Sequence, residues 1–580
     1  MIAAAALLSW SCSKESTDTD DNKEPEVVFD ETVVANLTVN RTEYSANSDG
    51  ASFQLRINTD YLWRVNLPED CDWLTVDPMS GEAGSNIKVQ FTIGKNPSAS
   101  ERTARVTIQS GKTKKRLNIS QARKPRILTE ADVPDLDKIY IPQELRSMDF
   151  FNSSSRWYFG RSRQSEHFIV FWEKGAQWDE YGDTTPADAT NSKLRVDIDD
   201  LLNKAEQFFE NNINILKFSV LGEGKSTLDK YKMIIMLNYS TDWLATGAGY
   251  DNVIGALWVN PSCCQPVGST IAHEIGHSFQ YMVFCDYLLN KGIPEDQRIS
   301  QSSKQGPGWR YGFEANGDGG NGFWEQTAQW QSFQLYRGEA LYNYYAQGFF
   351  DCTHLHVLHE APRYSNYFIH WWWVEQNDDI EFIGKLWRSA EYPEDPCQTY
   401  MRLMGYDNDQ FNDSIWEYAA HMVTFDCDEI REQGKSYIGK VATTKISANG
   451  DYWRIAASQA PETTGFNVIR MTLPSDGKIT VNLKGVLDMS GVKCGSASEA
   501  GWKYGFVSYN GDGTTSYTDI KSAVEEDVEF EIPSTAVQLW FVVTGAPKTY
   551  ERHAWADESE TNDNHWPWEA KFTGSKPYGK

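Results

Sequence analysis

The hydrophobic period of this chain changes twice along its length, and that double change bounds its architecture. Residues 36 to about 122 alternate apolar and polar at period two: Phe53, Leu55 and Ile57; Ile87, Val89 and Phe91; Val106 and Ile108; Leu117 and Ile119. An all-β, immunoglobulin-like sandwich is expected over 36–122. Beyond a Pro-containing linker at 123–145 the pattern turns mixed. Glu166–Trp172 alternates as a strand, and Val196–Leu216 carries an amphipathic helix with Leu201, Leu202, Ala205, Phe208 and Phe209. Met233–Leu237 reads as a buried strand, Asn252–Asn260 as another, and a helix begins near Gly268. Gly-punctuated strands return from Ser436, including Ile479–Leu483, Val537–Val543 and Trp568–Phe572. The expected fold is multidomain: the N-terminal sandwich, a central α/β domain over 146–435, and a C-terminal all-β, jelly-roll-like sandwich over 436–580.

The chemistry concentrates in Ile271-Ala272-His273-Glu274-Ile275-Gly276-His277-Ser278-Phe279-Gln280. At about 3.6 residues per turn, His273 and His277 share a helical face and can aim both imidazoles at one zinc ion. Glu274 flanks them as a proton acceptor for an attacking water. A zinc site of this kind needs a third protein ligand. A histidine six residues after the second would supply it in one class of zinc peptidase, but Val283 stands there.

The helix following a strand resembles the zincin peptidases, and among them the gluzincins, which draw the third ligand from a glutamate on a later helix. That resemblance implies Glu325, in Gly322-Phe323-Trp324-Glu325-Gln326-Thr327-Ala328-Gln329-Trp330, with Glu314 and Glu339 as alternatives. Ala328 would let two helices approach. The longer string His273-Glu274-x-Gly276-His277-x-x-Gln280 is similar to the active helix of enhancin-like, mucin-directed peptidases. The segment Ser165-Glu166-His167-Phe168 resembles the strand opening of an uncharacterised group of secreted bacterial proteins in the same clan. Tyr364 and Tyr367 precede the next expected helix, where gluzincins often place a group that stabilises the oxyanion; packing with Trp371–Trp373 competes with that role. His354, His356 and His359 form a second cluster, without a carboxylate or Cys partner at a familiar spacing; satisfied or exposed histidines are the default reading and a separate metal site the alternative.

Residues 36–122 resemble the BACON domain: Trp63, Trp73-Leu74-Thr75-Val76 before Pro78-x-Ser80-Gly81, Asn96, Arg102-x-Ala104-x-Val106-x-Ile108 and the closing Ile119-Ser120-Gln121. The family name implies sugar binding, whereas the strand context of Trp63 and Trp73 favours core positions and a spacer. The apolar run ending in Ser11-Cys12 resembles the end of a bacterial lipoprotein signal over 1–12 with Cys12 as the lipidated residue. The acidic tether over 13–35 is like the signal that sends such proteins to the outer face of the outer membrane. Attachment would be by lipid only, because no segment has the roughly 20 apolar residues of a span. The net charge of −27 repels phosphate backbones and excludes nucleic acid as a partner. The eight cysteines after Cys12 show no metal-binding spacing. Together these features lead us to expect an extracellular zinc metallopeptidase acting on a peptide or glycoprotein such as mucin, with glycan contacts through the sandwiches. The alternative is a non-catalytic glycan-binding or adhesion lipoprotein on the same scaffold.

Overall fold

Alternation in the N-terminal segment resolves into two sheets sharing one core. Leu37–Val39, Ala51–Thr59, Gly84–Ile93 and Leu74–Asp77 make the first; Glu43–Ala46, Thr113–Gln121, Arg102–Ser110, Trp63–Asn66 and Ser80–Gly81 make the second, each in that spatial order. The computed structural model describes residues 28–178, 185–301, 307, 322–553 and 563–580. The chain divides into two units, one ending at Arg126 and the other running from Ile127 to Lys580. In the first, Phe53, Leu55 and Ile57 point inward while Gln54, Arg56 and Asn58 face water. Trp63 is buried in this core, and Trp73 lies at its margin with the Arg102 guanidinium 4.5 Å above its ring. Gln121 is bracketed by Arg102 Nε at 2.9 Å and the Gly94 carbonyl at 2.8 Å, so the residues that mark the motif close the sandwich.

The second unit starts earlier than the expected linker end. Val133, Ile139 and Tyr140 are buried in its core, so residues 127–145 are part of it. Its first sheet runs in the order Ser162–Gln164, Phe168–Trp172, Met233–Leu237, Ile254–Val259, Ala245–Tyr250. The three inner strands are parallel, and both edge strands are antiparallel to their neighbours. Phe168–Trp172 and Met233–Leu237 are buried at every position, as strands covered on both faces must be. Ile198–Glu210, capped by the Asp197 carboxylate, continues into a π turn at Asn211–Ile215. A 22-residue helix, Ser269–Asn290, buries almost its whole first four turns. Helices Gly322–Phe333, Asn343–Cys352, Phe368–Asn377, Phe382–Arg388, Pro396–Met404 and Asn408–Thr424 follow.

Two further sheets complete this unit: Ile446–Asn449, Tyr452–Ile455, Trp568–Thr573, Lys478–Gly485, Asp527–Glu531 in one, and Phe466–Met471, Ala536–Gly545, Trp502–Asn510, Thr515–Tyr517 in the other. Leu539, Phe541 and Val543 face the core between them. Trp540 and Val542, on the opposite face, belong to the large core of the helical region. Helix Asn408–Thr424 covers that face. Trp416 donates Nε1–H to the Val542 carbonyl at 3.2 Å, and a Cβ on Gly505 would stand 2.7 Å from its ring. Residues 436–580, expected as a separate domain, therefore share a core with the helices because one sheet is buried on both sides. Among the described residues no helix is long and apolar enough to cross a membrane.

Candidate metal centre

Two close approaches assemble the site around helix Ser269–Asn290. A Cβ on Gly247, in the edge strand, would lie 2.0 Å from the Glu274 carbonyl oxygen. On the other side a Cβ on Gly276 would lie 2.9 Å from Gln331 Oε1 and 3.4 Å from Ala328 Cα. The histidine helix is thus held between a glycine-bearing strand and the helix that carries Glu325, with Ala328 at the crossing. The edge strand Ala245–Tyr250 was not legible in the sequence. Ala-Thr-Gly-Ala-Gly-Tyr lacks a run of β-branched residues, because bulk is excluded where the helix presses on it.

His273 and His277 stand with ring centroids 4.6 Å apart and planes at 89°. Glu325 Oε2 lies 2.9 Å from His273 Nε2 and 3.1 Å from His277 Nε2. The other ring nitrogens are fixed by amides: His273 Nδ1 meets Gln329 Oε1 at 2.9 Å and His277 Nδ1 meets Gln280 Oε1 at 3.0 Å. The Gln280 amide has one orientation, because its Nε2 donates to the Trp324 carbonyl at 3.1 Å and to Gln331 Oε1 at 3.0 Å. Gln331 in turn donates to Asn212 Oδ1 at 2.6 Å, and Asn212 to the Phe208 carbonyl at 2.8 Å. His277 therefore carries a proton on Nδ1 and turns Nε2 toward Glu325. Three acceptor atoms facing one point repel one another unless a cation, proton or metal ion, stands among them. Burial depresses the His277 imidazole, but the hydrogen bond and charge of Glu325 outweigh it and raise it to about 9. Burial likewise raises the Glu325 carboxyl, yet its bonds to His273 and His277 hold it far below the usual carboxylate range. A two-nitrogen, one-oxygen set with second-nitrogen protons given to amide oxygens fits zinc, whose ligating histidines are oriented in this way.

Glu274 is buried beside them, and its carboxylate can offer an oxygen within 4.8 Å of both imidazoles. All four groups open onto a cleft of about 470 Å³ rimmed by Thr246, Gly247, Trp324, Tyr345 and Trp243. Trp243 is 68% exposed there, while Trp330, Trp371, Trp373 and Trp387 are in the core. Tyr364 lines the cleft and donates its hydroxyl to Glu325 Oε1 at 3.1 Å. Burial and the Glu325 charge push that hydroxyl up to about 12. Tyr367 is buried and donates to the Ala340 carbonyl, so of the two tyrosines it takes the core role. Glu339 accepts from Ser269 Oγ at 2.5 Å, at the start of the histidine helix. Glu314 and Cys12 lie outside the described residues. The orienting role of the amides was missed in sequence, where Gln280 entered only through the enhancin-like string; Gln329 four residues after Glu325 and Gln280 three after His277 are the spacings that mark it. The second histidine cluster is not exposed. His356 is buried, its Nδ1 accepting the Leu358 amide at 3.0 Å, and burial holds His354 and His359 down to about 4.

Residues 131–579 match the model of the family of unknown function DUF6055, and the chain belongs to that family. Residues 36–124 match the model described as the viral BACON domain, so a BACON domain occupies the N-terminal unit. No curated protein matches the sequence. Among solved structures, a protein from Bacteroides thetaiotaomicron is 16% identical over 14% of this chain and 77% of its own, with a TM-score of 0.12. A Bacteroides ovatus GH5 xyloglucanase, solved with a XXXG heptasaccharide, is 12% identical over 43% of this chain and 62% of its own, with a TM-score of 0.16. A putative alpha-galactosidase from Bacteroides fragilis is 10% identical over 90% of this chain and 100% of its own, with a TM-score of 0.12. Likenesses at that level carry no argument about fold or activity.

Proposed function

We propose that this protein is a zinc-dependent metallopeptidase of the gluzincin type that hydrolyses peptide bonds in glycoproteins such as mucins. The observation that carries the reading is the convergence of His273 Nε2, His277 Nε2 and Glu325 Oε2 in a cleft that also holds Glu274. A zinc ion held by these three would act as a Lewis acid toward a carbonyl and lower the pKa of a water. Glu274 accepts the proton of the attacking water and returns it to the leaving amine. Tyr364, whose hydroxyl donates to Glu325 Oε1, would turn that donor to the developing oxyanion once the carboxylate is taken up by the metal. The edge strand Ala245–Tyr250 offers an extended peptide an open row of backbone groups beside the histidines, the geometry of strand addition.

The sheet orders support a zincin-like reading of the first sheet with its helices, and a jelly-roll reading of the last two. In those, the eight strands from Tyr452–Ile455 onward cross between the sheets at every connection except the hairpin from Trp502–Asn510 to Thr515–Tyr517, the order of two interleaved Greek keys, with Ile446–Asn449 added at one edge. The enhancin-like resemblance of the Gly276 and Gln280 positions and the exposed Trp243 ring support a glycosylated substrate, since an indole face stacks on sugar rings. In the same reading, lipid on Cys12 holds the protein on the outer face of the outer membrane, and the sandwiches contribute glycan contacts.

The test is mucin and its enzymatically deglycosylated form incubated with wild type and Glu274→Gln. Cleavage by wild type is expected to fall roughly 10²–10⁴-fold in Glu274→Gln at unchanged zinc content. Equal or faster cleavage of the deglycosylated form would refute glycan dependence. No cleavage of either form, with zinc bound, would leave a non-catalytic glycan-binding protein on the same scaffold.

A further inference from the structure

A second, partly buried cluster of metal-ligating groups lies where the helical segment meets the last sheets. Glu462, in the turn before strand Phe466–Met471, and Asp563, before strand Trp568–Thr573, bring carboxylate oxygens within 4.8 Å of each other and of a ring nitrogen of His359. Two carboxylates packed so closely, with Glu462 buried and Asp563 partly so, repel each other and favour a cation between them. His553 Nε2 stands 3.3 Å from Asp563 Oδ2, and His565 Nε2 stands 3.4 Å from Glu462 Oε1. Those separations are long for hydrogen bonds; the His167–Glu206 pair elsewhere in this chain closes to 2.7 Å. They equal the distance between neighbouring donors on a tetrahedral ion, about 3.3–3.4 Å for bonds of roughly 2.0–2.1 Å.

The frame around these groups is built. Glu462 Oε2 accepts the His356 amide at 2.6 Å, which fixes the carboxylate and leaves Oε1 toward His565. The Glu462 amide donates to the His354 carbonyl at 2.8 Å, the Phe466 amide to the Thr353 carbonyl at 2.7 Å, and the Trp566 amide to the Pro461 carbonyl at 2.7 Å. Three segments far apart in sequence are thereby held in register before any ion is considered. The His359 ring has its Nδ1 engaged by the Ala361 amide at 3.0 Å, which places its proton on Nε2. Ligation by His359 needs that contact released, so His553 and His565, each within 3.4 Å of one carboxylate, are the preferred nitrogens, and His359 stands within 4.8 Å of both carboxylates.

We propose that Glu462 and Asp563, with imidazoles from His553 and His565, form a second divalent-metal site of the zinc class that fastens the helical segment to the C-terminal sheets. An oxygen and nitrogen donor set without thiolate selects zinc or a neighbouring transition ion over calcium. Four protein ligands make the site structural instead of catalytic.

The test is zinc content and melting temperature of the full chain after dialysis, in wild type, His273→Ala/His277→Ala, and that variant with Asp563→Asn added. The expected result is two zinc ions per chain in wild type, one in the double variant and none in the triple. The double variant, stripped by chelator, should regain several degrees of melting temperature when zinc is added back. One ion in wild type and one in the double variant would keep this site and refute the catalytic one. No ion in a folded double variant would overturn the proposal and leave a hydrogen-bonded histidine–carboxylate network. Zinc retained by the triple variant at the double variant's level would place the ion elsewhere and overturn it equally, as would zinc-free wild type.

Discussion

The N-terminal sheets and the sheet built on Ala536–Gly545 are both antiparallel-rich, yet their strands bury themselves differently. Ala51–Thr59 alternates core and solvent along its length, whereas Trp502–Asn510 is buried at all positions but Tyr509. The first pattern belongs to a sheet with one wet face and the second to a sheet roofed by helix Asn408–Thr424. Period-two alternation is thus a mark of independence: a strand that keeps a polar face needs nothing on that side. A strand that has lost it depends on a second layer, and the domain boundary moves accordingly.

The largest expected effect comes from cutting the chain at that difference. Residues 28–126 alone should unfold in one cooperative transition, while residues 436–580 alone would expose Phe466, Val468, Val507, Trp540 and Val542 and should aggregate or bind a hydrophobic dye. A soluble, cooperatively melting 436–580 fragment would break the comparison. Next, Trp416→Ala in the full chain should cost the second unit about 3–5 kcal/mol, because a buried indole is lost and the Val542 carbonyl is left without its donor. Calorimetry should show the BACON transition unmoved; a shift in both would mean the two units do not melt separately. Removing metal with chelator should lower the second transition by a smaller amount, on the order of 3 kcal/mol for an ion present at about 100 times its Kd, and leave the first where it is. The smallest effect is at a wet face. Gln54→Ala, on the outward side of its strand, should stay within about 0.5 kcal/mol in denaturant unfolding, and a larger loss would show that this face is covered.

Much of this architecture could be read before any coordinates. The strands Phe168–Trp172, Met233–Leu237 and Ile254–Val259 fall inside the expected segments, and so does the helix from Ser269, because apolar runs of that length have few other uses. The two histidines come together because i and i+4 spacing fixes a helical face, whereas Glu325, on a later helix, was within reach only through the resemblance to the gluzincins. What stayed hidden has a common cause. Gly247, Gly276 and Gly505 are places where another element presses close, and a missing side chain gives no periodic signal of the neighbour that requires its absence. The shared core of the C-terminal sheet was hidden for the opposite reason, since Trp540 and Val542 read as strand residues whichever layer they touch. The meeting of Glu462 with Asp563 spans segments that no local pattern connects.

The Gln280 amide has a consequence for how the chain assembles its centre. One glutamine reads two helices at once: its oxygen aims His277, and its nitrogen grips the Trp324 carbonyl next to Glu325. The aim of the His277 ring on the first helix is therefore conditional on the arrival of the second, which brings Glu325 from 48 residues later. A helix docked one turn out of place would leave that amide without the partners that fix its orientation, so the contact that completes the fold also checks that the His277 ring and the Glu325 carboxylate face each other.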